Sequence, residues 1–302
     1  MRVLMIGGTA LTGPYLIREL LGRGDEVFVL SRTGRPLFCE TPLRGDRRDP
    51  EALGAALAAA RPDAVVDMVP FTAADAEGLL DALARHGRAP PVVACSSLDV
   101  YAAYGRIHGT EPGPAQACPI PETGRLRTRL GPEGAAYDKL SVERLLAGGL
   151  PDVTLLRLPA IYGWPDASRL APYLDVMLDG AREITLSPAR ARFRFSRALH
   201  KNAAHGLALA AGRRGRRVYN LAEPNAFNEA EWVARIAACC GWRGRVRADG
   251  PGEGPVQDLT ACSALIRDEL GYSELHEPGA GLAEAVAFHA WQRRGIAYVK
   301  GY

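Results

Sequence analysis

An α/β fold, a doubly wound parallel sheet with a smaller lobe interleaved with it, is predicted by three observations. Short apolar runs alternate along the chain with segments of about 3.6-residue periodicity. A glycine-rich turn, Gly7-Gly8-Thr9, separates the first run from the first such segment, as a strand, turn and helix start require. The 302 residues are 47% hydrophobic and 24% charged, ordinary for a globular protein long enough for two lobes.

Other classes are set aside by composition. The net charge is +3 and the arginines are spread out, apart from a run at Arg213, Arg214, Arg216 and Arg217 that reads as a solvated turn, so no dedicated nucleic-acid surface is expected. No stretch approaches about eighteen uninterrupted apolar residues, so no membrane span is expected. Six cysteines, at 39, 95, 118, 239, 240 and 262, show no CxxC pair and no metal-ligand spacing, and with the first strand starting at the initiator Met no signal segment is expected. They suit a reducing cytoplasm, with Cys239 and Cys240 as small buried thiols.

The elements follow in order. A strand over 3–6 meets the glycine turn, and Leu16, Ile17, Leu20 and Leu21 carry a helix from Gly13 to the stop at Gly22 and Gly24. A strand over 27–30, a short third strand before Asp46, a helix over 51–60, a strand over 64–69, a helix over 73–86 and a strand over 92–95 continue the alternation. From Tyr101 to Glu133 periodicity fails among prolines and glycines, which reads as a loop over an active site. A helix over 136–146 and a strand over 153–158 close a nucleotide-binding Rossmann domain at 1–165, which a strand over 217–222 rejoins. The substrate lobe, 166–302, is expected to hold helices near 170–178, 199–211, 229–240, 262–270 and 282–291 and a strand near 183–186.

A strand, a glycine turn and a helix start together aim unpaired backbone N–H groups and the positive helix end at a pyrophosphate, so NAD or NADP is the expected ligand. Glycines stand at 7 and 13, with Ala10 in the middle place. The second strand ends Leu30-Ser31-Arg32, with Arg35 nearby and no carboxylate at its tip. A guanidinium there suits a 2'-phosphate, which favours NADP, with NAD as the alternative. Asp46 is placed near the adenine edge, and Val69 with Pro70 beneath the adenosine ribose.

The segments GGTALTG at 7–13, CSSLDVY at 95–101, YDKLSVERLL at 137–146, LRLPAIYG at 156–163 and VYNLAEP at 218–224 resemble the extended short-chain dehydrogenase/reductase family, of the NAD-dependent epimerase/dehydratase type. The resemblance implies a coenzyme lined by Gly7, Thr9, Leu11, Thr12, Gly13, Arg32, Asp46, Arg47, Val69, Pro70, Ser96, Lys139, Leu158 and Ile161. It puts Ser97 in the place of the catalytic Ser/Thr and Lys139 in that of the lysine holding the nicotinamide ribose. The family's tyrosine would then be residue 135, which is alanine. Tyr137 stands two residues before Lys139, and on a helix such neighbours point about 200° apart, unless the helix begins late. Pairing Tyr137 with the family tyrosine instead leaves Ser141 where the lysine belongs.

The implied chemistry is that of an NAD(P)-dependent oxidoreductase or epimerase/dehydratase acting on a carbinol or carbonyl of a small polar substrate, such as a sugar nucleotide, with a nonstandard proton donor. Tyr137 and Asp99 are the leading donors; Tyr101, Tyr104, His108 and Tyr162 also stand near carboxyl strand ends. Arg192, Arg194 and Lys201 are candidates to grip a substrate diphosphate. A nucleotide-binding regulatory or scaffold protein without redox activity is the alternative. A homodimer through helices 73–86 and 136–146 is expected, and no metal.

Overall fold

Side chains of the first strand alternate between two apolar cores, Val3 and Met5 to one and Leu4 and Ile6 to the other, the period of a strand buried on both faces. The structure, a computed structural model, describes residues 1–294. The first half runs β1 (Arg2–Ile6), α1 (Gly13–Gly22), β2 (Glu26–Ser31), β3 (Thr41–Arg44), α2 (Pro50–Ala60), β4 (Ala64–Asp67), α3 (Ala73–His86), β5 (Val92–Ser97), α4 (Ala102–Ile107), α5 (Lys139–Gly149) and β6 (Val153–Leu158). The second runs β7 (Ala160–Tyr162), α6 (Ala171–Leu178), β8 (Glu183–Thr185), α7 (Pro188–Arg192), β9 (Arg197–Leu199), α8 (His200–Ala210), β10 (Arg216–Asn220), α9 (Glu229–Cys240), β11 (Arg245–Arg247), α10 (Ala264–Leu270) and α11 (Pro278–Arg293).

Seven parallel strands form one sheet in the order β10-β6-β5-β4-β1-β2-β3. Leu53, Leu79 and Leu146 from α2, α3 and α5 pack on one face, and Leu16, Leu207 and Ile266 from α1, α8 and α10 on the other. Strand order reverses between β1 and β4, so their carboxyl ends part and leave a crevice. The second half contributes β10, an edge strand, and α8, which lies along α1. Its remainder packs α6, α9 and α11 around Leu174, Trp232 and Val286, beside the small ladders β7·β9 and β8·β11.

Helices with strong end signals have sharp limits. Thr72 and Asp75 form a reciprocal capping box at α3, as Asn228 and Glu231 do at α9, and Gly87 and Gly241 end them in the left-handed conformation, satisfying orphan groups at both ends.

Five departures from the sequence analysis are physical in origin. The strand expected to reach 69 stops at Asp67, whose buried carboxylate takes the Arg47 guanidinium and the Val69 N–H. The helix expected from 136 begins at Lys139. The 101–133 segment contains the short helix α4. The strand expected from 217 begins at Arg216. Cys239 is exposed, because α9 turns it away from its apolar face, and Cys240 is half-buried at the margin of the core around Trp232 and Ile236. Residues 295–302 of the expected lobe lie outside the described residues.

Candidate active site

A cleft of about 700 Å³ opens at the carboxyl ends of β1, β2, β4, β5 and β6. Its floor is the glycine turn, where Gly7 and Gly8 take φ of +75° and +84°. Gly13 is the first residue of α1 and packs on the glycine turn without lining the cleft: a Cβ there would stand 1.7 Å from the Gly8 carbonyl oxygen. Gly13→Ala is therefore expected to destabilise the fold by about 1–3 kcal/mol or more through overpacking, read as a lowered urea midpoint. Leu11, at φ +54° and 43% exposed, shows backbone strain of the kind found where a chain grips a ligand. Thr12 precedes α1 without a side-chain cap, and the first turn holds no acid, so the positive end of the helix is not neutralised by a carboxylate and suits an anion.

Thr12 Oγ1 pairs with His200 Nδ1 at 2.8 Å. His200 is buried and lines the cleft, its Nε2 has no partner among the described residues, and burial lowers its pKa to about 4, so the ring is neutral. The uncapped helix start, the glycine cradle and this unpartnered ring nitrogen fit a pyrophosphate-containing coenzyme.

At the end of the cleft beside β2 stand Ser31, Arg32, Asp46, Arg47, Arg48 and Val69. Arg47 is not free for a phosphate: its Nη1 donates to both Asp67 oxygens, at 2.7 and 2.8 Å, and it also reaches Asp75. The exposed guanidiniums here are Arg32 and Arg48, and Arg48 keeps only a 3.5 Å contact with Asp75.

At the other end Ser96, Ser97, Asp99, Tyr137, Lys139, Leu158 and Ile161 meet. Tyr137 is not helical, with φ −146° and ψ 89°. Two long-range ties hold the chain extended there: the Asp138 N–H donates to the Phe71 carbonyl at 2.8 Å, and the Asp138 carboxylate takes the buried Arg127 at 2.6 Å. The helical objection to Tyr137 is thereby removed, for its ring and Lys139 share the cleft, with Lys139 Nζ 5.5 Å from the ring centroid. The ring also packs 5.9 Å from that of Phe71.

Lys139 Nζ donates to the Pro70 carbonyl at 2.9 Å and the Cys95 carbonyl at 2.8 Å. Pro70 thus contributes a carbonyl to the lysine and does not line the cleft. Burial lowers the Lys139 pKa to about 8. The Tyr137 hydroxyl faces Ser97 and Asp99, and burial, reinforced by Asp99, pushes its pKa well above the usual phenol range. Burial also raises Asp99.

The other candidates lie elsewhere. Tyr101 is buried and bonded to Asn220 and Arg157, and Tyr162 to Glu223 in the lobe core. Arg194 pairs with Glu231 and Lys201 with Glu284; neither they nor Arg192 line the cleft. The lobe instead brings Asp166, Ser168, Arg169, Phe195 and His200, which no periodicity or motif marked.

Residues 3–122 match the NAD dependent epimerase/dehydratase family. The match stops ahead of Tyr137 and Lys139. A 2'-dehydrokanamycin reductase of Streptomyces kanamyceticus is 33% identical over 171 residues, 54% of this chain and 43% of the reductase, so the alignment spans less than half of that relative. The structure is similar to a UDP-glucose-4-epimerase of Stenotrophomonas maltophila solved with NAD and a formylated UDP-arabinopyranose, at 21% identity and TM-score 0.78, covering 98% of this chain and 100% of that one. It is also similar to the Thermotoga maritima UDP-glucose 4-epimerase solved with UDP-glucose, at 17% identity and TM-score 0.75, with the same coverage. At those identities the likeness shows a shared fold. Among the described residues, no helix is long and apolar enough to cross a membrane, and no group of three His, Cys, Asp or Glu could hold a metal ion.

Proposed function

We propose that this protein is an NADP-dependent reductase of a carbonyl group on a small polar substrate, with Tyr137 as the proton donor. One observation carries the reading: Tyr137 reaches the cleft from a turn ahead of α5, its hydroxyl toward Ser97 and Asp99 and its ring face toward the Lys139 ammonium. A lysine beside the hydroxyl would favour phenolate, a base. A phenol buried beside a carboxyl group stays protonated, an acid suited to a newly formed alkoxide. The Streptomyces kanamyceticus relative is likewise named a reductase.

When bound, the reduced coenzyme supplies the hydride. The glycine turn and the start of α1 hold its pyrophosphate, Arg32 and Arg48 its 2'-phosphate, and Lys139 the nicotinamide ribose. Ser97 donates a hydrogen bond to the reacting oxygen, and Tyr137 gives that oxygen a proton. The lobe residues Arg169 and Phe195 cover the substrate's far side. A second reading, a nucleotide-binding module without redox chemistry, rests on Ala135 standing in the family tyrosine's place.

Incubation with NADPH and a panel of carbonyl compounds, including oxidised sugars with and without a nucleotide, separates the readings. Consumption of NADPH supports the reductase, and binding without consumption across the panel supports the module. Replacing Arg32 and Arg48 by alanine together is expected to weaken NADPH binding about ten- to a hundredfold while NADH binding changes by less than about twofold, as loss of charged hydrogen bonds predicts. Fluorescence titration with each coenzyme checks it.

A further inference from the structure

On a helix, a tyrosine and a lysine four residues apart share one face, and the helix itself holds them together. Tyr137 and Lys139 are two apart and Tyr137 is not helical, so their meeting in the cleft needs a support from outside. The chain just after β4 supplies it. The Phe71 ring lies 5.9 Å from that of Tyr137, tilted by 34°. The Lys139 ammonium stands over both rings, 4.6 Å from the Phe71 centroid and 5.5 Å from that of Tyr137. The Phe71 carbonyl takes the Asp138 N–H at 2.8 Å, and the Pro70 carbonyl takes the ammonium at 2.9 Å. Two consecutive residues therefore grip the whole of 137–139, and Phe71 alone engages each of the three.

Phe71 is itself fixed. Its N–H and that of Thr72 both donate to Asp75 Oδ2 at 2.9 Å, within the capping box that begins α3, so a helix end sets its backbone. Its ring has no place in a core: it is 38% exposed, lines the cleft and, among the described residues, joins none of the apolar clusters. An aromatic ring so placed adds little to stability. Its electron-rich face does attract an ammonium drawn out of water, and Lys139 is buried.

We propose that Phe71 is a positioning residue of this site, its ring holding the Tyr137 hydroxyl and the Lys139 ammonium in the register that a helix would otherwise give. The inference rests on Tyr137 being the proton donor. Phe71 acts through these two side chains. Packing against its ring limits the swing of Tyr137, and its face favours the charged form of Lys139 over the neutral amine. Asp67, Asp99, the Cys95 thiol and Arg47 also act on the Lys139 charge, and Asp99, Glu133 and Tyr104 on the Tyr137 hydroxyl. A substitution at 71 alters none of those groups.

Phe71→Leu tests it, because leucine keeps the backbone ties and an apolar cover over the ammonium while the ring is lost. At saturating NADPH, turnover is expected to fall about tenfold, the scale of a misplaced reacting group, with NADPH affinity within about twofold and an unchanged urea midpoint. The alkaline limb of the rate, where Lys139 loses its charge, is expected to move to lower pH by about half a unit to one unit. Each limb is read relative to that protein's own maximum, so a partly unfolded sample does not shift it. Phe71→Tyr, which keeps the ring, is expected to restore both rate and limb. Turnover within twofold of the parent, an unmoved limb, or a loss that Phe71→Tyr does not recover would overturn the role. A loss confined to NADPH affinity would overturn it too, by making Phe71 a coenzyme contact only. An inactive Tyr137→Phe beside a fully active Phe71→Leu removes the positioning role and keeps the donor. A fully active Tyr137→Phe removes both.

Discussion

Tyr137→Phe is expected to lower turnover by about a hundred- to ten-thousand-fold, the contribution of a positioned general acid, while NADPH remains bound. The substitution removes one oxygen. It leaves the ring against Phe71 and under Lys139, so neither the packing nor the lysine's ties to Pro70 and Cys95 should move. Single-turnover NADPH oxidation measures the chemical step, and fluorescence titration measures the bound coenzyme. A variant that binds NADPH normally and reduces at the parent rate would end the assignment. The pH profile adds a second signature. Tyr137, held above the usual phenol range, stays protonated through neutral pH, whereas Lys139 loses its charge as pH rises through about 8. The rate is therefore expected to be high below that pH and to decline above it.

Glu143→Ala is expected to cost about 3–5 kcal/mol of stability, because it leaves a buried guanidinium without its counter-charge. Arg157 holds Glu143 through two parallel bonds, Nε to Oε1 at 2.9 Å and Nη2 to Oε2 at 2.7 Å, with both side chains about 95% buried. Ser96 also donates to Glu143 at 2.5 Å. Arg157 Nη1 reaches Tyr101, whose hydroxyl donates to Asn220. The network thus joins α5, β5, β6, the 101–133 segment and the edge strand β10. A urea melt gives the stability loss; a midpoint shift below about 1 kcal/mol equivalent would show that the pair contributes little.

The legible parts of the chain are those whose causes are local. The helices over 73–86 and 229–240 match to the residue because capping residues and terminal glycines stand within one turn of their ends. The strand over 153–158 matches because it is apolar and bounded. The late start of α5 has a distant cause, since Phe71 and Arg127 fix Asp138 from other parts of the chain. Arg194 and Lys201 look like free cations in sequence, and their partners Glu231 and Glu284 stand 37 and 83 residues away. The glycine turn and the residues Ser97, Asp99, Tyr137 and Lys139 were readable as candidates, but their meeting was not. His200 and Arg169 carried no signal, because a lone histidine beginning a helix and a lone arginine in a loop occur on any surface.

Lys139 does more than carry a charge. Its ammonium bridges the chain leaving β4 and the end of β5, two neighbouring strands whose tips form one wall of the crevice, and so acts as a brace between them. Exchanging it for an uncharged side chain would slacken that wall as well as silence the amine, and a slowed variant would report both losses as one.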